Sequence, residues 1–379
     1  MKKLHQAAHN SSKITSLRIH PDLLDPIEYR KSGLSLNHIV GCPLNCTYCV
    51  RHLFDNFEMK QPEALMSDEE AVEYLIKHPF FQAHKTPLQI FNRATDPFLP
   101  IVKPHTFSVL ENLDQRGLRN HILVITRSKI TEDDCKWLNS LSSLKVTLLI
   151  TYSGIDDERI EPISSDIAET SLYQAYAHAV RYRVIFYWRP IIPSLNDSSK
   201  HIVKAIELSR NAHATVFTGL FYREQIRKYF QDNELPDLYN EVARRKILPK
   251  QLELRIIKAF ENAFPKAGSL FRKTSCAVSY AHNLPDYNGH YGIRELCSIC
   301  PKQQINRCAK FWKTPSFNEV EYLAKQMGSP HTPQIKGGAI EIDGLDEQRR
   351  YYIQHALGYQ VHDPHYPHLL DQHGRAPIG

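Results

Sequence analysis

The 379-residue chain reads as an α/β protein built on parallel strands. Between about residues 35 and 220, apolar β-prone runs alternate with helical segments, and most of those segments open on a capping signal. Six runs qualify as strands: 35–40, 88–92, 122–126, 146–152, 184–190 and 215–220. In the first connection Ser67 and Glu70 form a capping box at the head of SDEEAVEYLIKH. The second connection holds KPHTFSVLENLDQRG, and in the third Thr131 precedes the acidic first turn of TEDDCKWL, where carboxylates complement the helix dipole. ETSLYQAYAHAVRY supplies the fourth helix, and Asn196 with Asp197 precedes SSKHIVKAIELSR, the fifth. Repeated strand–helix units imply parallel strands joined by right-handed crossovers, with chemistry gathered at the carboxyl ends of the strands.

After residue 220 the pattern changes. Residues 222–262 read as helical and charged, and 266–313 as loop-rich, basic and cysteine-bearing. From about 316, FNEVEYLAKQMG reads as an amphipathic helix, AIEID as a strand and LDEQRRYYIQHAL as a helix. The expected division is an N-terminal extension (1–34), an α/β unit (35–220), a basic cysteine-bearing region (221–315) and a small C-terminal α/β region with a tail (316–379).

The composition, 42% hydrophobic and 23% charged, is that of a globular chain. No apolar run is long enough to cross a bilayer, and MKKLHQAAHNSSK has a basic start without an apolar stretch behind it, so a cytoplasmic protein with no membrane partner is expected. Of the formal charge of +6, residues 220–315 carry 17 Lys/Arg against 9 Asp/Glu. Arg244, Arg245, Lys246, Arg272, Lys273, Lys302, Arg307, Lys310 and Lys313 can attract phosphates, or form a solvated face.

The most informative residues are Cys42, Cys46 and Cys49, in GCPLNCTYC. Three thiolates at this spacing can hold three corners of a 4Fe–4S cluster and leave one iron open to a substrate. The competing reading adds His52 to make a zinc tetrad of three sulfurs and one nitrogen. With the aromatic Tyr48 just before the third cysteine, the loop resembles the signature of the radical S-adenosylmethionine (radical SAM) superfamily. The resemblance covers about residues 35–220 and implies a partial (β/α)6 TIM-like barrel, here followed by a C-terminal cysteine-bearing auxiliary module. It also implies an enzyme that reductively cleaves S-adenosylmethionine, bound at the open iron, to a 5′-deoxyadenosyl radical that abstracts hydrogen from a substrate.

Further features narrow the resemblance. The Gly-Gly-Glu turn that many members place after the second strand is replaced by FNRATDPF, where Asn92, Thr95 and Asp96 offer oxygen acceptors for the cosubstrate's amino group. With Thr126, Arg127 and Ser128 after the third strand and RPIIPSLND from Arg189, the pattern resembles the branch that includes spore photoproduct lyase. By that resemblance Tyr48 packs beside the adenine, and Asn92, Thr95, Asp96, Thr126, Ser128, Ser153 and Arg189 are the cosubstrate-binding candidates. Glu161 and Pro162 match the Glu-Pro that closes a family segment, but the arginine that relatives place about ten residues later is missing, which leaves Arg189 or Arg127 as the carboxylate's cationic partner. The photoproduct lyases' hydrogen-donor cysteine near the second strand is also missing from FNRATDP, which argues against thymine-dimer repair. Cys135, in a helical segment, reads as a packing residue.

Cys276, Cys297, Cys300 and Cys308 form a second set, C-x20-C-x2-C-x7-C, able to saturate a second 4Fe–4S cluster or a zinc ion. Its spacing does not match the seven-cysteine pattern of peptide-modifying radical enzymes. The favoured substrate is a nucleic-acid component or nucleotide, from the kinship and from Phe221, Tyr222, Tyr229, Phe311 and Trp312 in the basic region, which can stack bases or belong to the core. The alternatives are a small metabolite or peptide substrate, or a non-catalytic Fe–S or zinc protein that binds nucleic acid. An enzyme of this kind needs a reductant such as flavodoxin or ferredoxin.

Overall fold

A computed structural model describes residues 19–242 and 248–365. Arg244, Arg245 and Lys246 lie outside the described residues. The main sheet has eight strands: β1 (Ile27–Arg30), β2 (Gly33–Leu36), β3 (Leu88–Ile90), β4 (His121–Thr126), β5 (Lys145–Tyr152), β6 (Arg183–Ile191), β7 (Ala214–Gly219) and β8 (Leu270–Phe271). They lie side by side in chain order. β1 pairs antiparallel with β2, and every later pair is parallel. Helices Asp68–Lys77, Lys103–Gln115, Glu132–Ser140, Ser165–Ala177 and Ser199–Ser209 fill the connections from β2 through β7.

The strands are apolar on both faces, as a covered parallel sheet requires. Ile122, Val124, Leu148, Ile150, Val184 and Phe186 share one core with the connecting helices, into which Val109, Leu138 and Leu172 point. Leu123, Leu149, Ile185 and Val216 alternate with them and pack instead with Ala277 and Val278 of the helix Thr274–Ala281. That helix also carries Cys276, so the second cysteine set is anchored to the sheet's other face.

Differences from the sequence reading have local causes. The first strand breaks after Leu36: the side chains of Asn37 and Ser35 bond to each other, and Ile39–Val40 turns away to pair antiparallel with Glu63–Ala64. β3 stops at Ile90 because Phe91 adopts φ of +52°. Ser67–Glu70 and Thr131–Asp134 both form capping boxes. The fifth helix is capped by Ser198, because Asn196 is buried and its amide bridges the carbonyls of Ser153 (2.6 Å) and Pro190 (2.7 Å). The fourth helix starts earlier than expected, behind Ser164.

The cysteine-bearing region is more helical than its sequence suggested, with Thr274–Ala281, Arg294–Cys297 and Lys302–Phe311 framing the second set. The expected C-terminal elements are present as Phe317–Gln326, Ala339–Glu341 and Glu347–Leu357, with Gln334–Lys336 and Val361–His362 completing a three-stranded sheet. Helix Glu347–Leu357 returns to β1, where Tyr29 Oη and His355 Nδ1 are 2.8 Å apart. No described helix is long and apolar enough to cross a membrane.

Candidate functional site

The first cysteine loop leaves the short strand Ile39–Val40 through Gly41, whose φ of +100° and close approach to the Gln61 carbonyl leave no room for a Cβ. The Cys42 amide then donates to the Met59 carbonyl at 2.9 Å, and the Cys49 amide to the Cys46 carbonyl at 3.0 Å. Arg51, 1% exposed, ties the loop together by donating to the carbonyls of Leu44 (2.8 Å) and Met59 (3.1 Å). Burial pushes the Cys42 and Cys46 thiols above their ordinary range, against the opposing pull of Arg51 on Cys42 and of Arg127 on Cys46. Buried thiols become thiolates when a metal replaces their protons, and the two guanidiniums offset the negative charge of a thiolate-ligated centre. The donor set therefore fits a metal cluster. His52, the nitrogen of the zinc alternative, stacks on Phe57 (centroids 3.9 Å apart) and packs against Tyr229 (4.4 Å).

Beside the loop, Tyr48 Oη donates to Glu161, and Arg127 Nη1 reaches Glu161 Oε2 at 2.5 Å and Tyr48 Oη at 2.9 Å. The Cys46 Sγ lies 3.7 Å from the other oxygen of Glu161. Burial raises the Tyr48 phenol, so it stays a donor. A pocket opens here at the carboxyl end of β5, with about 190 Å³ of empty space lined by Arg127, Thr151, Ser153, Glu161, Ser164 and Ser165 among others.

The cosubstrate candidates sort into three groups. Asp96, Thr126 and Ser128 form one brace: Asp96 accepts from Thr126 Oγ1 (2.7 Å) and the Arg127 amide (2.8 Å), and Thr126 Oγ1 accepts from the Ser128 amide (2.9 Å). That brace fixes the backbone from which Arg127 projects. Ser153 and Tyr48 border the Glu161 group directly, and the buried Thr95 hydroxyl has no hydrogen-bond partner. Asn92 is engaged with Ser35 (2.6 Å) and Gln89 (2.6 Å), and Arg189 lies over the Tyr187 ring, 4.1 Å from its centroid.

Cys276, Cys297, Cys300 and Cys308 line one partly open cavity, although the first and the last lie 32 positions apart in the chain. Burial raises all four thiols, Cys308 to about 11 and Cys300 to about 12. The Cys308 sulfur accepts from the Asp286 amide (3.4 Å) and Gln304 Nε2 (3.5 Å), contacts that suit a thiolate ligand. Asp286 and His290 also line this cavity. Burial opposes ionisation of Asp286, but pairing with His290 and its hydrogen bonds hold the carboxyl down to about 2.

Arg51, Asp286 and His290 escaped the sequence reading, and Glu161 entered it only as a landmark. The available signals were an arginine two residues after the third cysteine and the i, i+4 carboxylate–imidazole spacing of DYNGH between two cysteines of the second set. Of the aromatics read as stacking candidates, Tyr222 is fully buried core, whereas Phe311 is 59% exposed beside Lys310. Cys135 packs in the core as expected.

No family model and no curated protein matches the chain. Among solved structures, the chain is similar to a single-residue mutant of spore photoproduct lyase, with 13% identity over 64% of this chain and 78% of that one, and a TM-score of 0.48. It is also similar to spore photoproduct lyase complexed with dinucleoside spore photoproduct (12% identity, 66% and 80% covered, TM-score 0.47). A third is Streptococcus suis SuiB bound to S-adenosylmethionine (7% identity, 68% and 54% covered, TM-score 0.42).

Proposed function

We propose that this chain is a radical S-adenosylmethionine enzyme. The observation that carries the reading is the loop of Cys42, Cys46 and Cys49, which offers three sulfur donors, the first two buried near the guanidiniums of Arg51 and Arg127 respectively. A 4Fe–4S cluster held by these three thiolates would supply a low-potential electron to S-adenosylmethionine at its open iron, and so a 5′-deoxyadenosyl radical. The chain's own residues do the positioning. Arg51 holds the loop's carbonyls, the Asp96–Thr126–Ser128 brace sets the direction of Arg127, and Glu161 orients Tyr48 and Arg127 together. Arg127 and Ser153, which line the pocket, and Thr95, whose buried hydroxyl is unpartnered, would receive the cosubstrate's carboxylate, ribose and amino hydrogens, and Tyr48 would supply the ring beside its adenine. The partial barrel reading is supported by eight strands in chain order, with β1 and β8 as the two edges.

The substrate class favoured is a nucleic-acid component or nucleotide, supported by the basic cysteine-bearing region and the exposed Phe311 beside Lys310. The second set, Cys276, Cys297, Cys300 and Cys308, would hold a second cluster or zinc. A reducing, cytoplasmic setting with a flavodoxin- or ferredoxin-type donor fits eight free cysteines.

Anaerobically reconstituted, reduced protein mixed with S-adenosylmethionine is expected to form 5′-deoxyadenosine, and the Cys42→Ala, Cys46→Ala, Cys49→Ala triple variant is not. Failure of the cluster-loaded protein to form it would leave a non-catalytic metal protein. Oligonucleotide binding is expected to weaken steeply as salt rises; a flat salt response would turn the reading to a small metabolite.

A further inference from the structure

We propose that His290 ligates the metal of the second cysteine cavity through Nε2, with Asp286 as its positioning carboxylate. The inference rests on the reading of that cavity as a metal centre and adds to it a donor that cysteine spacing cannot reveal. His290 is 2% exposed and lines the cavity, and its Nε2 is buried with no hydrogen-bond partner. Its Nδ1 lies 2.9 Å from Asp286 Oδ2. An ionised carboxylate only accepts, so the ring hydrogen is assigned to Nδ1 and Nε2 carries a bare lone pair. A bare lone pair cannot donate to a thiolate or a sulfide. Its remaining chemistry in a sulfur-lined cavity is to accept a hydrogen or bind a metal, and an imidazole whose other nitrogen donates to a carboxylate is the usual arrangement of a histidine ligand.

The segment is held in place before any metal binds. The His290 amide donates to Asp286 Oδ2 at 3.0 Å, and the Asp286 amide to the Cys308 sulfur at 3.4 Å. Gly289, with φ of +65°, lies so close to the Gly358 carbonyl that no Cβ fits there. The turn is thereby pinned between the cysteine helices and the end of helix Glu347–Leu357. Four thiols and one imidazole make five donors facing a centre that takes four protein ligands, whether a tetrahedral ion or a cubane. One thiol is left over. In an iron–sulfur centre, exchanging a thiolate for a neutral imidazole raises the reduction potential.

The test uses the full chain with Cys42, Cys46 and Cys49 changed to alanine, grown with 15N-histidine and purified without oxygen. Iron, zinc and sulfide are first counted. If iron is bound, pulsed EPR of the reduced centre is expected to show a nitrogen coupling that changes with the isotope; if zinc is bound, X-ray absorption is expected to show imidazole scattering. Either signal is lost in His290→Ala, and in the iron case His290→Cys keeps the metal and lowers the midpoint potential. Bound metal without a histidine nitrogen overturns the His290 assignment alone, and a chain with no metal in this cavity overturns the parent reading with it. The labelling itself needs no change at His290. If the triple variant does not fold, the difference between the unsubstituted chain and His290→Ala gives the same decision.

Discussion

The two cysteine centres solve the same chemical problem in opposite ways. The first gathers three sulfurs within eight residues of one loop, tied by Arg51 and bordered by the polar pocket of Arg127, Ser153 and Glu161. The second gathers Cys276, Cys297 and Cys308 from three helices and Cys300 from the turn between the last two, and backs them with the Asp286–His290 pair. A cluster short of one protein ligand can bind a cosubstrate, whereas a centre with donors to spare closes on itself. On the proposed reading, donor count, more than donor type, would separate a reactive centre from an electron-relaying or stapling one.

The comparison breaks first at the cysteines. Changing any one of Cys42, Cys46 or Cys49 to alanine is expected to lower 5′-deoxyadenosine formation at least about 10,000-fold, more than about 5 kcal/mol of barrier, while Cys300→Ala lowers it far less. Equal losses at both sites would erase the distinction. Next comes Arg127→Met, which strands the Glu161 carboxylate, 2% exposed in its side chain, without its cation. Urea unfolding is expected to show a loss of about 3–5 kcal/mol, and a change under 1 kcal/mol would mean that water reaches Glu161 freely.

Gly41→Ala is expected to cost about 1–3 kcal/mol through strain in the loop and to reduce cluster occupancy, without altering metal content at the second centre. The gentlest probe is pH. With thiols as high as about 11 and about 12, the second cavity must shed protons to bind metal. Each displaced proton is expected to weaken metal affinity about tenfold per unit of falling pH below that range, readable by chelator competition. A flat profile would mean the thiols are already ionised.

Legibility followed distance along the chain. The cysteine loop, the strand–helix alternation, the capping box at Ser67 and the helix start behind Thr131 are local patterns, and the fold keeps all of them. Asn196 misled because its cap-like position is overridden by two buried carbonyls that only the folded chain brings to it. The four-residue strand Ile27–Arg30 went unread, since so short an alternation carries little weight until β2 lies beside it. His290 and Asp286 were hidden for the same reason. Their meaning depends on a cavity assembled by Cys276 from one helix and Cys308 from another. The cosubstrate candidates fall between these cases: Asp96, Thr126 and Ser128 do meet, as a brace for Arg127.

The most direct measurement is pulsed EPR of the reduced, cluster-loaded protein mixed with S-adenosylmethionine labelled with 15N in its amino group. An incomplete coordination shell at Cys42, Cys46 and Cys49 predicts a strong coupling from that nitrogen, absent when the three cysteines are alanine. A cluster that shows no coupling with the cosubstrate bound, or a loop filled by zinc, would contradict it.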